Sequence, residues 1–129
     1  MEVAYVDASC LVALTFAEPG TDELGPRLTG YERLVASNLV EAELRAAVAR
    51  EGFVLQPDFL DGIDWILPNR PLTIEMSAVL AAGYLRGAGL WHLACAMFVS
   101  PNARELSFLT LDRAQGAVAA ALGFAVPQL

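Results

Sequence analysis

The sequence has 129 residues, of which 56% are hydrophobic and 18% are charged, and its formal net charge is −7. This composition excludes a disordered chain, and the length predicts a single domain over residues 1–129 that buries a substantial core. All eight basic residues are arginine, and an acidic chain disfavours nonspecific nucleic-acid binding, although carboxylates clustered around divalent cations would still allow a nuclease.

The first predicted element is a strand that leads directly to an acidic residue. An apolar run begins at Val3 and ends at Asp7, which is followed by Ala8, Ser9 and a helix-like stretch over residues 10–14. Such an uninterrupted run is typical of a parallel strand buried on both faces. Because ligands of open α/β sheets bind beyond the carboxyl ends of the strands, Asp7 lies where a ligand or metal site is expected.

The rest of the chain alternates between strand and helix patterns. After a break at residues 18–20, the predicted elements are a short helix ending at Gly30, a strand over residues 33–37, a helix over 39–50 capped by Ser37 or Asn38, a short amphipathic helix over 58–66, an extended segment over 71–73, helices over 74–85 and 90–99, a strand over 106–111, a helix over 114–122 and a strand over 124–126. This alternation predicts an α/β fold with a parallel sheet.

Asp7 and Asp112 occupy equivalent places in this pattern. Each follows an apolar strand and precedes a helix, so their carboxylates emerge at the same edge if the two strands are parallel neighbours. Two like charges so placed repel each other unless a cation lies between them or one is protonated. The pair therefore indicates a site for a hard divalent ion. The alternative is that each aspartate only caps the helix that follows it.

The predicted helix over residues 39–50 offers two glutamates. Glu41 has Arg45 four residues later, which is the spacing of an ordinary exposed ion pair. Glu43 has apolar neighbours, and a carboxylate at the margin of a buried face is costly unless it is paired or bound to a metal. Glu43 is therefore the better site candidate.

Four segments together resemble the PIN-domain ribonucleases. They are YVDAS at residues 5–9, ASNLVEAEL at 36–44, LWHLACA at 90–96 and FLTLD at 108–112. Each segment alone is a weak signal, but the four occur in the family's order over nearly the whole chain. The resemblance is greatest to the VapC-type toxins of bacterial toxin–antitoxin pairs.

The resemblance implies a three-layer α/β fold, with a central parallel sheet of four to five strands flanked by helices. It implies that Mg²⁺ or Mn²⁺ is bound for the hydrolysis of RNA, with Asp7, Glu43 and Asp112 as the catalytic metal ligands. Ser9 and Thr110 match hydroxyl positions that help to order the site.

His92, the only histidine, matches a common family position behind the site. A structural hydrogen-bonding role is favoured for it over acid–base catalysis. Of the arginines, Arg45, Arg50, Arg86 and Arg113 are all candidates for steering phosphate, and the sequence does not choose among them.

One position departs from the family pattern. Three residues before His92 the family has an aspartate, and this chain has Gly89. Three carboxylates would hold one hard cation weakly, with waters completing its shell, and a second ion is not expected. Either Gly89 is natural and the protein is weakened or inactive, or it replaces an aspartate to inactivate a toxic enzyme. The intact remainder of the site favours replacement, and a glycine codon in the native gene would exclude it.

Targeting and redox features predict a cytoplasmic protein. No apolar run approaches the roughly 18 uncharged residues that a membrane span needs, and the N-terminus lacks the pattern of a secretory signal. Cys10 and Cys95 lie in apolar, helix-like contexts that favour free thiols over a disulfide.

The predicted function is thus a Mg²⁺- or Mn²⁺-dependent ribonuclease, the toxin of a type II toxin–antitoxin pair, impaired here by Gly89. Its expected partners are RNA, a cognate antitoxin and a second copy of the chain. The alternative is a catalytically inactive PIN-like protein that binds an antitoxin or RNA. A haloacid-dehalogenase-like phosphatase is disfavoured, because its first-strand signature needs an aspartate where this chain has Ser9.

Overall fold

The computed structural model describes residues 2–129, in which a four-stranded parallel sheet is combined with six α-helices. The elements in chain order are β1 (Val3–Val6), α1 (Ala8–Thr15), α2 (Leu24–Thr29), β2 (Arg33–Ser37), α3 (Asn38–Arg50), β3 (Ile63–Ile66), α4 (Thr73–Ala82), α5 (Gly87–Val99), a short 3₁₀ helix (Ala103–Glu105), β4 (Ser107–Leu109) and α6 (Arg113–Ala121). The predicted α/β fold with a central parallel sheet is therefore confirmed.

The strand order β3-β2-β1-β4 places the first strand in the interior of the sheet. The three residues Ala4, Tyr5 and Val6 of β1 are fully buried, as the uninterrupted apolar run predicted. The ladder between β1 and β4 continues one step further, because the Asp7 backbone N–H donates to the Leu109 carbonyl at 2.9 Å. The carboxyl ends of β1 and β4 are thus fixed side by side.

The helices form two groups. α1 packs on α3, whereas α4 packs on α5 and α6. The chain moves from β1 through β2 to β3 in one direction and then returns to β4 on the far side of β1. Since crossovers between parallel strands are right-handed, this reversal places the two groups on opposite faces of the sheet. The result is the three-layer arrangement that the resemblance implied.

α3 shows how the sequence sets one of these helices. Its N-cap is Ser37, whose hydroxyl accepts a hydrogen bond from the Leu39 backbone N–H at 3.0 Å. Val40, Leu44 and Val48 are buried at a spacing of four residues, so one stripe of the helix faces the core. Glu43 lies next to this stripe, at the margin of the buried face of the helix.

The predicted helix over residues 58–66 is wrong. The chain turns up to residue 62 and then forms β3, which pairs in parallel with β2. Within β3, Ile63 and Ile66 are buried and Asp64 is exposed, where it accepts a hydrogen bond from Arg33 of β2 at 2.9 Å. Pairing along β2 satisfies the backbone groups of residues 63–66, and this contact overrides the local pattern.

Other boundaries differ from the prediction as well: the helix over residues 74–85 ends at Ala82, and the strand over 106–111 is Ser107–Leu109. The segment over residues 124–126 contributes a single bridge, between Ala125 and Ser107, rather than a strand. The helix predicted to begin at residue 90 begins at Gly87. As a result, Gly89 lies within the first turn of α5 rather than in a loop before it.

Cys10 and Cys95 are free and buried, as predicted. Burial raises the pKa of each thiol to about 12, so both stay protonated and unreactive at neutral pH. Across residues 2–129, no helix combines the length and the apolar character needed to cross a membrane.

Candidate active site

Asp7 is anchored by one of its two carboxylate oxygens. It is 7% exposed and caps α1, with its Oδ2 accepting from the Ser9 backbone N–H at 3.2 Å. The same oxygen accepts from the Ser9 hydroxyl at 2.7 Å and from the Thr110 hydroxyl at 3.2 Å. The other oxygen, Oδ1, stays outside these bonds, so Asp7 is oriented by its neighbours and keeps a free ligand atom.

The hydroxyls of Ser9 and Thr110 also hold the segment that follows β4. Ser9 Oγ accepts from the Leu111 backbone N–H at 3.0 Å, and Thr110 Oγ1 accepts from the Asp112 backbone N–H at 3.0 Å. These bonds tie the start of α1 to the chain beyond β4. The two hydroxyls thereby place Asp112 relative to Asp7.

Asp112 is exposed and caps α6, with its Oδ1 accepting from the Gln115 backbone N–H at 3.1 Å. Both aspartates therefore cap the helices that follow them, as the alternative interpretation predicted. Both also line one cavity of about 510 Å³ beyond the carboxyl ends of the strands. Capping and site formation are compatible, since each cap uses only one oxygen.

Glu43 lies on the same cavity and is bonded to His92. The distance from His92 Nε2 to Glu43 Oε1 is 2.5 Å, and the same nitrogen is 3.9 Å from Asp7 Oδ1. His92 is 1% exposed. One buried imidazole nitrogen therefore lies between the carboxylates of Glu43 and Asp7.

The other imidazole nitrogen fixes the tautomer of His92. Its Nδ1 lies 2.6 Å from the hydroxyl of Tyr5, and that hydroxyl accepts from the Ser37 backbone N–H at 3.1 Å. Burial raises the pKa of Tyr5 well above its ordinary value, so the phenol keeps its proton and donates it to Nδ1. With Nδ1 accepting from Tyr5, we assign the ring N–H of His92 to Nε2, which donates to Glu43.

Tyr5 is a residue that sequence reasoning missed. A tyrosine inside a strand buried on both faces needs a partner for its hydroxyl, and that requirement was the available signal. The partner, His92, is 87 positions away in the sequence, so only the folded chain identifies it. The series Tyr5, His92, Glu43 links a carboxylate on the cavity to the interior of the sheet by hydrogen bonds.

The Tyr5→Phe variant should unfold more easily than the unsubstituted protein. It removes the donor to His92 Nδ1 and the acceptor for the Ser37 N–H, and a buried polar group left without a partner costs about 1–3 kcal/mol. Urea denaturation followed by circular dichroism should show this decrease in the free energy of unfolding. Tyr84→Phe, at a side chain that is 79% exposed, is the matched control, and an equal effect of both substitutions would contradict the assigned role.

Gly89 also lines the cavity, at the first turn of α5. A Cβ atom added to it would come no closer than 3.8 Å to the side chains of Gln115 and Leu85, which is ordinary van der Waals contact. Position 89 therefore has room for a Cβ atom.

The donor chemistry of the cavity fits a hard divalent cation. Asp7, Glu43 and Asp112 each keep one carboxylate oxygen that makes no hydrogen bond within residues 2–129, and oxygen ligands are those that Mg²⁺ and Mn²⁺ prefer. Their spacing is open, since the described residues contain no group of three or more His, Cys, Asp or Glu side chains that could hold a metal ion as it stands. The residue types thus suit a hard cation, whereas their arrangement is not that of a closed ligand cluster.

The family of the chain is shown by comparison. The family model of the PIN domain matches residues 4–126. The chain belongs to the PIN domain family. PIN domains are generally metal-dependent nucleases. No curated protein and no solved structure matches this chain significantly.

In this PIN domain, the structure separates the two glutamates of α3 as predicted. Glu41 accepts from Arg45 at 2.7 Å in an exposed ion pair, four residues apart. Glu43 instead faces the cavity and His92. Of the four arginines considered for phosphate, Arg86 lines this cavity, whereas Arg45 is engaged by Glu41.

Proposed function

We propose that this PIN domain is a Mg²⁺- or Mn²⁺-dependent endoribonuclease, the toxin of a type II toxin–antitoxin pair, and that Gly89 impairs it. The observation that carries the proposal is the meeting of Asp7, Glu43 and Asp112 on one cavity beyond the carboxyl ends of β1 and β4. In the proposal these three residues are the catalytic metal ligands. The VapC-like motifs around them support the toxin role.

The chain's own residues would bind and orient the reacting groups. The three carboxylates would hold one divalent ion, which when bound neutralises charge on a phosphate and lowers the pKa of a water. The hydroxyls of Ser9 and Thr110 keep Asp7 oriented. His92 donates to Glu43 from a buried position, so it orients that ligand rather than taking a proton from the substrate.

The proposal is tested by incubating the protein with a fluorescent single-stranded RNA and with DNA of the same sequence. We expect slow cleavage of the RNA alone, in Mn²⁺ and not in EDTA. Glu43→Gln should abolish it, because this variant keeps an acceptor for His92 but loses the charge. Cleavage that persists in EDTA, or no cleavage by either the unsubstituted protein or Gly89→Asp, would contradict the proposal.

A second candidate is a catalytically inactive module that binds an antitoxin or RNA. Gly89 and the open spacing of the carboxylates favour it. If the protein is such a module, it binds its partner, and neither the addition of Mn²⁺ nor the substitution Gly89→Asp yields RNA cleavage. The assay above therefore separates the two functions.

The proposed protein partners are an antitoxin and a second copy of the chain. Apolar side chains are available for such contacts, since Ile74 at the start of α4 is 81% exposed and Leu80 on the same helix is 46% exposed. We also propose that the protein is located in the cytoplasm.

A further inference from the structure

The segment between α4 and α5 holds an exposed aromatic side chain beside the cavity. Residues 83–86 form neither helix nor strand, and the backbone is extended at Gly83 and at Arg86. Side chains alternate in direction along an extended chain. Accordingly, Leu85 is 7% exposed, whereas Tyr84 is 79% exposed and Arg86 is exposed as well. The segment therefore directs Leu85 into the protein and Tyr84 and Arg86 outwards.

Close packing fixes the backbone of this segment. A Cβ atom added to Gly83 would lie only 2.8 Å from Cγ2 of Val118 on α6, so the chain approaches α6 as closely as a glycine allows. At the other end, the Arg86 carbonyl accepts from the Leu90 backbone N–H at 2.9 Å, which joins the segment to α5. Tyr84 is thus an exposed ring on a backbone that is held at both ends.

Packing within the described part of the chain does not account for the ring of Tyr84. It is not among the side chains that pack on the core. The aromatic pairs of residues 2–129 are formed by Tyr5, His92, Phe108 and Phe124, so no aromatic ring of these residues covers either face of Tyr84. A fixed aromatic side chain with open faces is suited to stacking on a flat group from outside the chain.

The surroundings of Tyr84 indicate the class of ligand. Tyr84 and Arg86 line the same cavity as Asp7, Glu43 and Asp112. The ion pairs within residues 2–129 do not include Arg86, so its guanidinium is available to phosphate oxygens. The face of a tyrosine ring stacks on nucleobases of any sequence. A nucleotide carries both groups, the base and the phosphate, that these two side chains recognise.

We propose that Tyr84 stacks on the base of a nucleotide whose phosphate contacts Arg86, at the edge of the carboxylate cavity. In RNA this nucleotide would lie next to the phosphodiester at the carboxylates; this use of Tyr84 rests on the proposed function, whereas the stacking of a base on Tyr84 does not. Because stacking tolerates every base, Tyr84 positions the strand without selecting its sequence.

The first test observes the tyrosine rings directly by NMR. Protein with isotope-labelled tyrosine is titrated with AMP and, separately, with ribose 5-phosphate, which has the sugar and the phosphate but no base. Mg²⁺ is present throughout, because the carboxylates repel a phosphate. We expect the ring resonances of Tyr84, identified by their absence from Tyr84→Phe, to move upfield with AMP and to stay in place with ribose 5-phosphate. No shift with millimolar AMP, or equal shifts with both ligands, would overturn the proposal.

Substitutions of Tyr84 separate stacking from simple apolar contact. Tyr84→Ala and Tyr84→Leu should each weaken the binding of AMP about tenfold, because both remove the aromatic ring. Tyr84→Phe keeps the ring, so its Kd should stay within about twofold of that of the unsubstituted protein. Equilibrium dialysis with labelled AMP measures these affinities, and circular dichroism checks that each variant folds. Equal affinities of the alanine and phenylalanine variants would exclude stacking on this ring.

Phe53→Ala is the matched control. Phe53 is an aromatic side chain that is 65% exposed and lines a different cavity, so its removal should leave the affinity for AMP unchanged. An equal loss in Phe53→Ala and Tyr84→Ala would show that AMP stacks on any exposed ring. If Tyr84 instead contacts a second copy of the chain, Tyr84→Ala lowers the dimer fraction in analytical ultracentrifugation and leaves the Kd for AMP unchanged, which would also overturn the proposal.

Abasic RNA tests the use of Tyr84 in cleavage and separates it from the proposed function. One abasic ribonucleotide is placed at each position of the RNA in turn. We expect a single abasic position next to the cleavage site to raise KM about tenfold, and Tyr84→Ala to remove this dependence. An AMP-induced shift of Tyr84 without any RNA cleavage would leave base stacking standing and overturn the nuclease proposal. Metal-dependent cleavage with equal KM values for Tyr84→Ala and Tyr84→Phe would leave the nuclease proposal standing and overturn the use of Tyr84 for RNA.

Discussion

Gly89→Asp should raise the rate of RNA cleavage in Mn²⁺ by about a hundredfold or more. This gain is at least as large as the loss of activity that follows the removal of an outer-shell partner of a metal site. The substitution adds a fourth carboxylate to a cavity that already holds Asp7, Glu43 and Asp112. Position 89 has room for a Cβ, which would lie no closer than 3.8 Å to any neighbouring side chain. Single-turnover cleavage of a fluorescent single-stranded RNA measures the change.

Gly89→Ala is the control for this prediction. Alanine removes the backbone-entropy cost of glycine in α5, about 0.5–1 kcal/mol in the free energy of unfolding, without adding a charge. It should therefore stabilise the helix and leave cleavage unchanged. Equal cleavage rates for the alanine and aspartate variants would show that position 89 is not part of the metal site.

Two substitutions of Asp7 should have very different effects on the free energy of unfolding. Asp7→Ala removes the cap of α1 and leaves the hydroxyl of Ser9 without its acceptor, which should lower the free energy of unfolding by about 1–3 kcal/mol. Asp7→Asn keeps a capping oxygen, and asparagine is as good an N-cap as aspartate, so the stability should change by less than about 0.5 kcal/mol. Urea denaturation measures both values.

Cleavage should be lost in both Asp7 variants, because each removes the carboxylate charge that a divalent ion requires. The comparison is best made in the Gly89→Asp background, where the signal is largest. A fully active Asp7→Asn protein would exclude Asp7 as a metal ligand. Equal stabilities of the alanine and asparagine variants would show that the capping bonds are unimportant.

Sequence reasoning was most successful where a strand leads directly into the site. The apolar run before Asp7 and the strand before Asp112 predicted that the two carboxylates emerge at one edge, and β1 and β4 are parallel neighbours. This prediction needs only the rule that parallel strands end on the same side of a sheet. Local sequence is sufficient there because the strand interior is apolar without interruption.

The segment over residues 58–66 shows where local sequence is insufficient. Its apolar spacing is compatible with a helix, but the backbone of residues 63–66 pairs with β2. The choice between the two depends on an open strand edge that is distant in the sequence. Propensity is a weak constraint when such an edge is available.

The same reason explains why the surroundings of Glu43 could not be predicted in detail. Its bond to His92 depends on how α3 and α5 are placed around β1, and the support from Tyr5 depends on the sheet between them. The position of Gln115 next to Gly89 likewise depends on where α6 lies in the folded chain. Residue types indicate which chemistry is available, and only the packing decides which groups stay unpaired.

We propose that the cavity is a divalent-metal site that lacks one carboxylate. Calorimetric titration of Mn²⁺ into the unsubstituted protein and into Gly89→Asp tests it most directly. We expect one weakly bound ion in the former and an affinity at least about tenfold higher in the latter, in line with the gain from one more charged oxygen ligand. Equal affinities in the two proteins, or no binding in either, would contradict the claim.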